Sequence, residues 1–412
     1  MNKVLIIGAG GVGGVSVNKC LNLKSDLIGD VCLASRTLEK CKIIADQTNK
    51  KIRTEQVDAN NTADVIKLIQ SFKPRIVINA ALPLQNIPIM KACLETGVHY
   101  IDTSDPEMEP DKFELLGSYR WQWQFDSEYK KRGLTAILSC GFDPGVVNVY
   151  CAYAQEHIFD EIVSIDIVDC NGGDHGHPFA TNFNPIVNLQ EVTAPGIYYE
   201  NNKWVEIKAL SVKKSFYFPE IGSKNMYVMY HPELESLAKF LKPVKSIRFW
   251  MTFSDSYLNH LDVFENLGLI SMDPITVRDN KIIPLEFLQA ALPDPSELGK
   301  NYKGKTCIGC IFTGMKDGRE KTIFIYNVCD HHQAYLETKN HAVPYTTGVP
   351  AVTAAQLLLD GTWQKPGIYN VEQLDPLPFL EKIGPNGLPW DIKSIENPFT
   401  TDKDLSTMSI IH

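Results

Sequence analysis

The sequence predicts an α/β chain: a doubly wound parallel sheet at the amino terminus, then an α+β domain on a mixed sheet. Three observations carry this. Short apolar runs alternate with helical patterns between residues 4 and 138. A glycine-rich turn directly follows the first run. Beyond Gly145 the runs change character and begin to alternate apolar with polar, as half-buried strands do.

Composition bounds the function. The 412 residues are 44% apolar and 22% charged, enough for a core and against a chain disordered throughout. Lys and Arg number 40 against 49 Asp and Glu, a net charge of −9, whereas nucleic-acid binding draws on a basic surplus. No apolar run reaches the roughly 18 residues of a membrane span. The run Val4 to Ile7 is too short for an export signal. The 10 cysteines lack small-domain disulfide spacing and are expected to be reduced and mostly buried. These features predict a cytoplasmic protein that binds neither nucleic acid nor membrane.

In order along the chain, Val4 to Ile7 is apolar without alternation, as a strand covered on both faces requires. Gly8, Gly10 and Gly13 then give G-x-G-x-x-G, with Gly11 and Val12 inside it, opening a helix from Val12 to about Leu23. Gly8 permits the tight turn, Gly10 lets the backbone approach a pyrophosphate, and Gly13 lets helix and strand pack closely. This is the phosphate turn of a Rossmann domain, with helix N–H groups facing the phosphates. The next strand, Leu27 to Ala34, is irregular at Gly29 and Asp30 and ends in Ser35, Arg36 and Thr37. An acid here would hold a ribose hydroxyl; these donors suit a 2′-phosphate and favour NADP(H). Stacking of Arg36 on adenine is the alternative, and it leaves either cofactor open.

Further strands at 52–57, 75–79, 98–101 and 134–138 end in polar or small clusters: Asp58 near the adenine, Ala80 and Ala81 where the cofactor crosses, Asp102 and Ser104, and Cys140-Gly141-Phe142-Asp143. Helical patterns at 63–72 and 87–96 separate them. Ligands of such sheets sit beyond these strand ends. Three regions are expected: 1–144 for the dinucleotide, 145–345 for substrate and dimerisation, and 346–412 as a returning helix and tail on the first domain. The second region offers strands at 162–168, 204–207, 247–253, 306–312 and 322–328, and helices at 232–241 and 256–267. A helix is expected over 354–359.

The densest polar stretch runs from Asn171 to Pro185 and holds Asp174, His175, His177, Thr181, Asn182 and Asn184. Long polar loops on a rigid scaffold usually bind something. No metal is expected: Cys307 and Cys310 lie at odd separation within a strand and point to opposite faces. No G-x-S-x-G elbow suggests a hydrolase.

The glycine turn, the Cys140 to Gly145 turn and the 357–361 helix end resemble the saccharopine dehydrogenase-like reductases over the whole chain. Within that group, the His175 to Pro185 loop resembles the carboxynorspermidine synthase family. The resemblance implies NADPH-dependent condensation of aspartate β-semialdehyde with putrescine or 1,3-diaminopropane through an imine, in bacterial polyamine biosynthesis. It implies Asp143, His175 and His177 as catalytic candidates. Substrate would meet Asp102, Ser104, Asp143, Asp174, Thr181, Asn182 and Asn184, and cofactor would also meet Cys140, Gly141 and Phe142. A saccharopine reductase, a homospermidine synthase-like enzyme and a non-catalytic NADP(H) sensor remain as alternatives. A homodimer through the second domain's sheet is expected.

Overall fold

A computed structural model describes residues 1–23, 26–48, 50–107, 115–396 and 409–410. The first sheet contains β1 (Asn2–Ile7), β2 (Ile28–Ser35), β3 (Arg53–Gln56), β4 (Ile76–Asn79), β5 (His99–Asp102) and β6 (Thr135–Leu138). Around them lie α1 (Gly11–Asn22), α2 (Leu38–Asp46), α3 (Thr62–Phe72), α4 (Asn86–Thr96), α5 (Arg120–Trp123) and α6 (Asp126–Lys131). Alternate residues of β1 fall into different cores: Val4 and Ile6 on one face, Leu5 and Ile7 on the other, all essentially inaccessible. Helices on both faces explain the unbroken apolar run.

The second sheet follows α7 (Val146–Tyr153) and begins with β7 (Glu161–Asn171). After α8 (Pro185–Thr193) come β8 (Gly196–Glu200), β9 (Lys203–Ile207), β10 (Lys213–Phe218), β11 (Gly222–Met229), α9 (Glu233–Phe240) and β12 (Ser246–Thr252). An excursion of α10 (Asp255–Asn266), the hairpin β13 (Ile275–Val277) and β14 (Asn280–Ile282), and α11 (Pro284–Ala291) precedes the long hairpin β15 (Lys305–Lys316) and β16 (Arg319–Asp330). The chain then forms α12 (His331–Thr338), α13 (Ala342–Leu359), β17 (Gly367–Asn370), α14 (Pro376–Ile383), β18 (Trp390–Ser394) and β19 (Ser409–Ile410).

Strand order is β17-β6-β5-β4-β1-β2-β3 in the first sheet, all parallel. The second runs β18-β16-β15-β7-β12-β8-β9-β19, with β10 and β11 attached through β12. It is mixed, because β7 and β12 are parallel while β15 is antiparallel to β7. The register shift opposite Gly29 is the irregularity expected in β2. Cys307 and Cys310 face different cores, as their spacing requires.

Three differences from the sequence expectation are physical. The helix expected at 354–359 begins at Ala342 and carries Pro350 in its interior. Tertiary burial overrides the local proline signal: almost the whole helix is covered, and a Cβ on Gly348 would lie 2.8 Å from Val15, so α1 and α13 pack through glycine. Gly367–Asn370 is a strand, fully covered at the edge of the first sheet beside β6. Strands β10 and β11 do not declare themselves in the sequence, because their polar residues blur the period. Part of the expected carboxy-terminal tail, 397–408 and 411–412, lies outside the described residues.

Candidate active site

The phosphate turn is built by the absence of side chains. Gly8 has φ of +118°, and a Cβ there would stand 2.3 Å from the Ala80 carbonyl oxygen. A Cβ on Gly13 would stand 1.8 Å from the Gly8 carbonyl oxygen, and one on Gly11 2.8 Å from Pro344. Gly10, at the N-cap of α1, faces open space within 4 Å. A dinucleotide pyrophosphate fits this cradle, at a helix terminus whose first N–H groups are unspent. The Val12 carbonyl is tied to Ser16 Oγ at 2.8 Å, inside the helix.

The turn after β2 carries no acid. Ser35 Oγ accepts the Thr37 N–H at 3.1 Å, and Arg36 is exposed and makes no ion pair among the described residues. Its guanidinium is unspent, the chemistry that a 2′-phosphate would need. Asp58 is exposed and accepts the Asn60 N–H at 3.1 Å. Ala81 donates its N–H to Asn79 Oδ1 at 3.0 Å, which fixes the small-residue edge against Gly8.

Several residues expected at the ligands turn inward. Asp102 is fully buried; its carboxylate accepts the Ser139 N–H at 2.5 Å and Gln122 Nε2 at 2.6 Å. Burial pushes its pKa up to about 7. It ties the end of β5 to the end of β6 and leaves no accessible oxygen for substrate. Cys140 is also inaccessible, its thiol donating to the Pro350 carbonyl at 3.7 Å. Phe142 packs edge-on to Tyr150 in the core, with ring centroids 6.4 Å apart. In a strand-to-helix turn alternate side chains must enter the core, and here those two do. Gly141 closes the turn through its N–H to the Pro144 carbonyl at 2.9 Å. Ser104 remains partly accessible, and its carbonyl accepts Asn86 Nδ2 at 2.8 Å.

The polar loop is anchored rather than solvated. Phe179 stacks on Tyr257 at 4.9 Å. Thr181 is buried and donates to the Phe183 carbonyl at 2.8 Å. Asn182 Oδ1 accepts Tyr302 Oη at 2.6 Å, and Asn184 caps α8 by accepting two backbone N–H groups. Three of the expected substrate contacts thus spend polar groups on holding the loop. Asp174 is exposed, pairs its backbone with Lys303 and accepts the Gly176 N–H at 2.8 Å. His177 is exposed, and its N–H donates to His175 Nδ1 at 3.1 Å. Burial first, then the neighbouring His177, lowers the His175 pKa. Tyr302 lies face to face with His331 at 3.8 Å; burial holds His331 and His341 near pKa 3, both neutral.

The strongest electrostatic feature was not singled out in the sequence. Asp143 lies with Asp169, Glu191, His231 and Glu233 in one electrostatic group. Asp143 is partly accessible, but its Oδ2 is buried and has no hydrogen-bond partner. Burial, then Asp169, raises its pKa well above the carboxylate range, and burial lifts Asp169 to about 7. His231 bridges two acids: Nε2 is 3.1 Å from Glu191 Oε1, and Nδ1 bonds Glu233 Oε2. Its ring stacks on Phe249 at 4.1 Å. Burial opposes its charge, but Glu233 and Glu191 outweigh that and hold its pKa well above the usual value. The turn that carries Asp143 is braced from behind: Asn148 accepts the Gly145 N–H at 3.0 Å and donates to Glu372 at 3.1 Å. Of this group only Asp143 stands out in the sequence; Asp169 offers a weaker signal, an acid continuing the buried stripe Ile165, Ile167 of β7. Among the described residues no three His, Cys, Asp or Glu side chains form a metal-binding group.

Comparison with known proteins adds identity to geometry. Residues 4–137 match the saccharopine dehydrogenase NADP binding domain, and 141–388 match the saccharopine dehydrogenase C-terminal domain. A carboxyaminopropylagmatine dehydrogenase from Synechocystis sp. is 48% identical, over 98% of this chain and 100% of its own. A carboxynorspermidine synthase from Vibrio cholerae is 44% identical, over 96% of this chain and 97% of its own. Saccharopine dehydrogenase (L-Glu forming) from Saccharomyces cerevisiae superposes with a TM-score of 0.71 at 16% identity, covering 96% of this chain and 100% of that one, which shows a shared fold.

Proposed function

The chain belongs to the saccharopine dehydrogenase family and is an NADP-dependent oxidoreductase; from that premise we propose that it reduces the imine formed between aspartate β-semialdehyde and a cationic amine. The observation that carries this reading is the carboxylate group around Asp143, a site for positive charge beyond the strand ends where the cofactor's reactive end belongs. The two relatives' names describe products of one plan, a carboxylated aminopropyl arm joined to a polyamine or agmatine. That arm is what aspartate β-semialdehyde becomes when its aldehyde carbon is reduced onto an amine nitrogen.

The residues divide the work as follows. The amine arrives as an ammonium and must lose a proton before its nitrogen attacks the aldehyde carbon. The Asp143–Asp169 pair accepts that proton, with Asp169, raised to about 7, matched to the exchange. The carbinolamine loses water when the same proton returns to its hydroxyl, leaving an iminium beside the carboxylates. Bound NADPH supplies the hydride that reduces it. The secondary amine then takes a proton from solvent. His175 and His177, partly and fully accessible to solvent, are assigned to proton exchange with it, while Asn182 Nδ2 and Asp174 are assigned to the amino-acid end.

The test is loss of nicotinamide absorbance with aspartate β-semialdehyde plus putrescine, 1,3-diaminopropane or agmatine. Amine-dependent oxidation is expected, and the ratio of kcat/KM values names the preferred amine. No oxidation with any of the three, despite NADPH binding, overturns the reading. We also propose a cytoplasmic homodimer. Ten unpaired, buried cysteines support a reducing compartment, and the exposed apolar side chains Val263, Leu267, Ile275, Val277 and Phe287 support self-association through the 255–291 excursion. Sedimentation checks the second point: a monomer at micromolar concentration removes it.

A further inference from the structure

We propose that Glu191, His231 and Glu233 form a second subsite, for the remote cation of the amine, so that the active site is built for a dication. The inference rests on the imine-reductase reading above and adds which amines that reductase accepts.

Both ring nitrogens of His231 face carboxylates, Glu191 at Nε2 and Glu233 at Nδ1, so both must carry protons for both contacts to be hydrogen bonds. An imidazolium between two carboxylates leaves one negative charge uncompensated. Glu233 is wholly buried, and its other oxygen, Oε1, has no hydrogen-bond partner. A buried carboxylate oxygen without a donor is costly and calls for a ligand that donates. A separate group points the same way: the Tyr230 hydroxyl is buried and unpartnered, and it interacts electrostatically with Asp105 and Glu233. Glu107 adds a further acid within electrostatic reach of Glu191. The other half is Asp143 with Asp169: burial raises both carboxyls and Asp169 raises Asp143 further, which a cation placed there relieves. Each half of the site therefore favours a positive charge.

An α,ω-diamine or a guanidino-amine supplies both charges on one flexible chain. One nitrogen reacts at Asp143; the other stays charged and donates to Glu233 Oε1 and Glu191. His231 never touches the reacting atoms. It is a positioning residue that holds the two glutamates at one spacing and fixes the subsite's net charge at that of a single anion.

The experiment compares putrescine with butylamine, which has the same chain length and one nitrogen fewer. Wild-type holoenzyme is expected to prefer putrescine by about 100-fold or more in kcat/KM, the range of a buried charge-assisted contact. In Glu233→Gln that preference should fall by about 30-fold, carried by KM for putrescine rather than by kcat. Glu191→Gln should lower it in the same direction, and it serves if Glu233→Gln does not fold. A merely structural role would lower kcat with both amines alike. Calorimetric titration of putrescine and butylamine into the NADPH complex gives a readout independent of turnover. Turnover with equal preference for the two amines overturns the subsite alone. Absence of turnover with every amine overturns the imine-reductase reading, and the titration then still decides the subsite: equal affinities for the two amines sink it.

Discussion

The two halves of the active site obey opposite rules. The phosphate turn at residues 8–13 is shaped by missing side chains, which leaves backbone N–H groups at the start of α1 open to a ligand. The pocket around Asp143 is built the other way, by crowded side chains: Asp143 after β6 and Asp169 on β7 interact electrostatically with His231, which is held between Glu191 of α8 and Glu233 of α9. One region is suited to an anion and the other to a cation. The difference teaches where each half is fragile. A backbone-built site fails when an atom is added, whereas a charge-built site fails when a charge is removed and its shape is kept.

The sharpest break on the first side is Gly13→Ala. Its Cβ would sit 1.8 Å from the Gly8 carbonyl oxygen, so the turn must open. NADPH affinity should fall by at least about 100-fold, or the domain should fail to fold, an effect of several kcal/mol typical of a backbone clash. Fluorescence titration of NADPH, with circular dichroism for folding, reads both. The matching break on the second side is Asp143→Asn, which keeps shape and removes one carboxyl of the proton-exchanging pair. A fall of about 100- to 1,000-fold in kcat is expected, with NADPH affinity within twofold, read by turnover and titration together.

Two smaller tests sharpen the contrast. Arg36→Ala should raise KM for NADPH by about tenfold or more, the worth of a charged hydrogen bond, and leave NADH kinetics nearly unchanged. Equal effects on the two cofactors would return Arg36 to the adenine. The last is a pH profile. Asp169 is raised to about 7 from 3.8, so in the folded protein it stays protonated until near neutrality. Amine KM should therefore fall about three- to tenfold as pH rises from 6 to 8, because the pocket gains a negative charge. Asp169→Asn should flatten that limb.

The phosphate turn was legible because its geometry is local: three glycines, a strand before and a helix after, all within one stretch. The same holds for β1 and β4, whose apolar runs declare burial on both faces, whereas β3 is Arg-Thr-Glu-Gln at the open sheet edge and is legible only from the alternation of strands and helices around it. The carboxylate pocket was legible only at Asp143. Glu191 and Glu233 sit on separate helices, and nothing in either helix's sequence announces that His231 will lie between them. Asp102, Cys140 and Phe142 occupy the right strand ends but face the core, since position along a strand says little about which way a turn sends its side chains. The polar loop stands out in the sequence, yet much of its polarity holds the loop itself: Thr181, Asn182 and Asn184 bond within the fold. Pro350 hid the first half of α13, because burial of the whole helix overrode a local helix breaker.

The route of the chain after β16 has a mechanical consequence. It leaves the second sheet, lays β17 along the first sheet beside β6, and returns to lay β18 along the second beside β16. Lys19 of α1 fastens this segment again, donating to Glu337, to Tyr345 and to the Asn386 carbonyl. Two bodies joined by a single linker can swing apart, whereas two bodies laced by strands in both directions cannot open far without losing hydrogen bonds. The acids of the amine pocket are thus pressed together while the protein folds, before any substrate arrives. Their mutual repulsion is met by folding free energy, and an incoming cation relieves it without having to assemble the site.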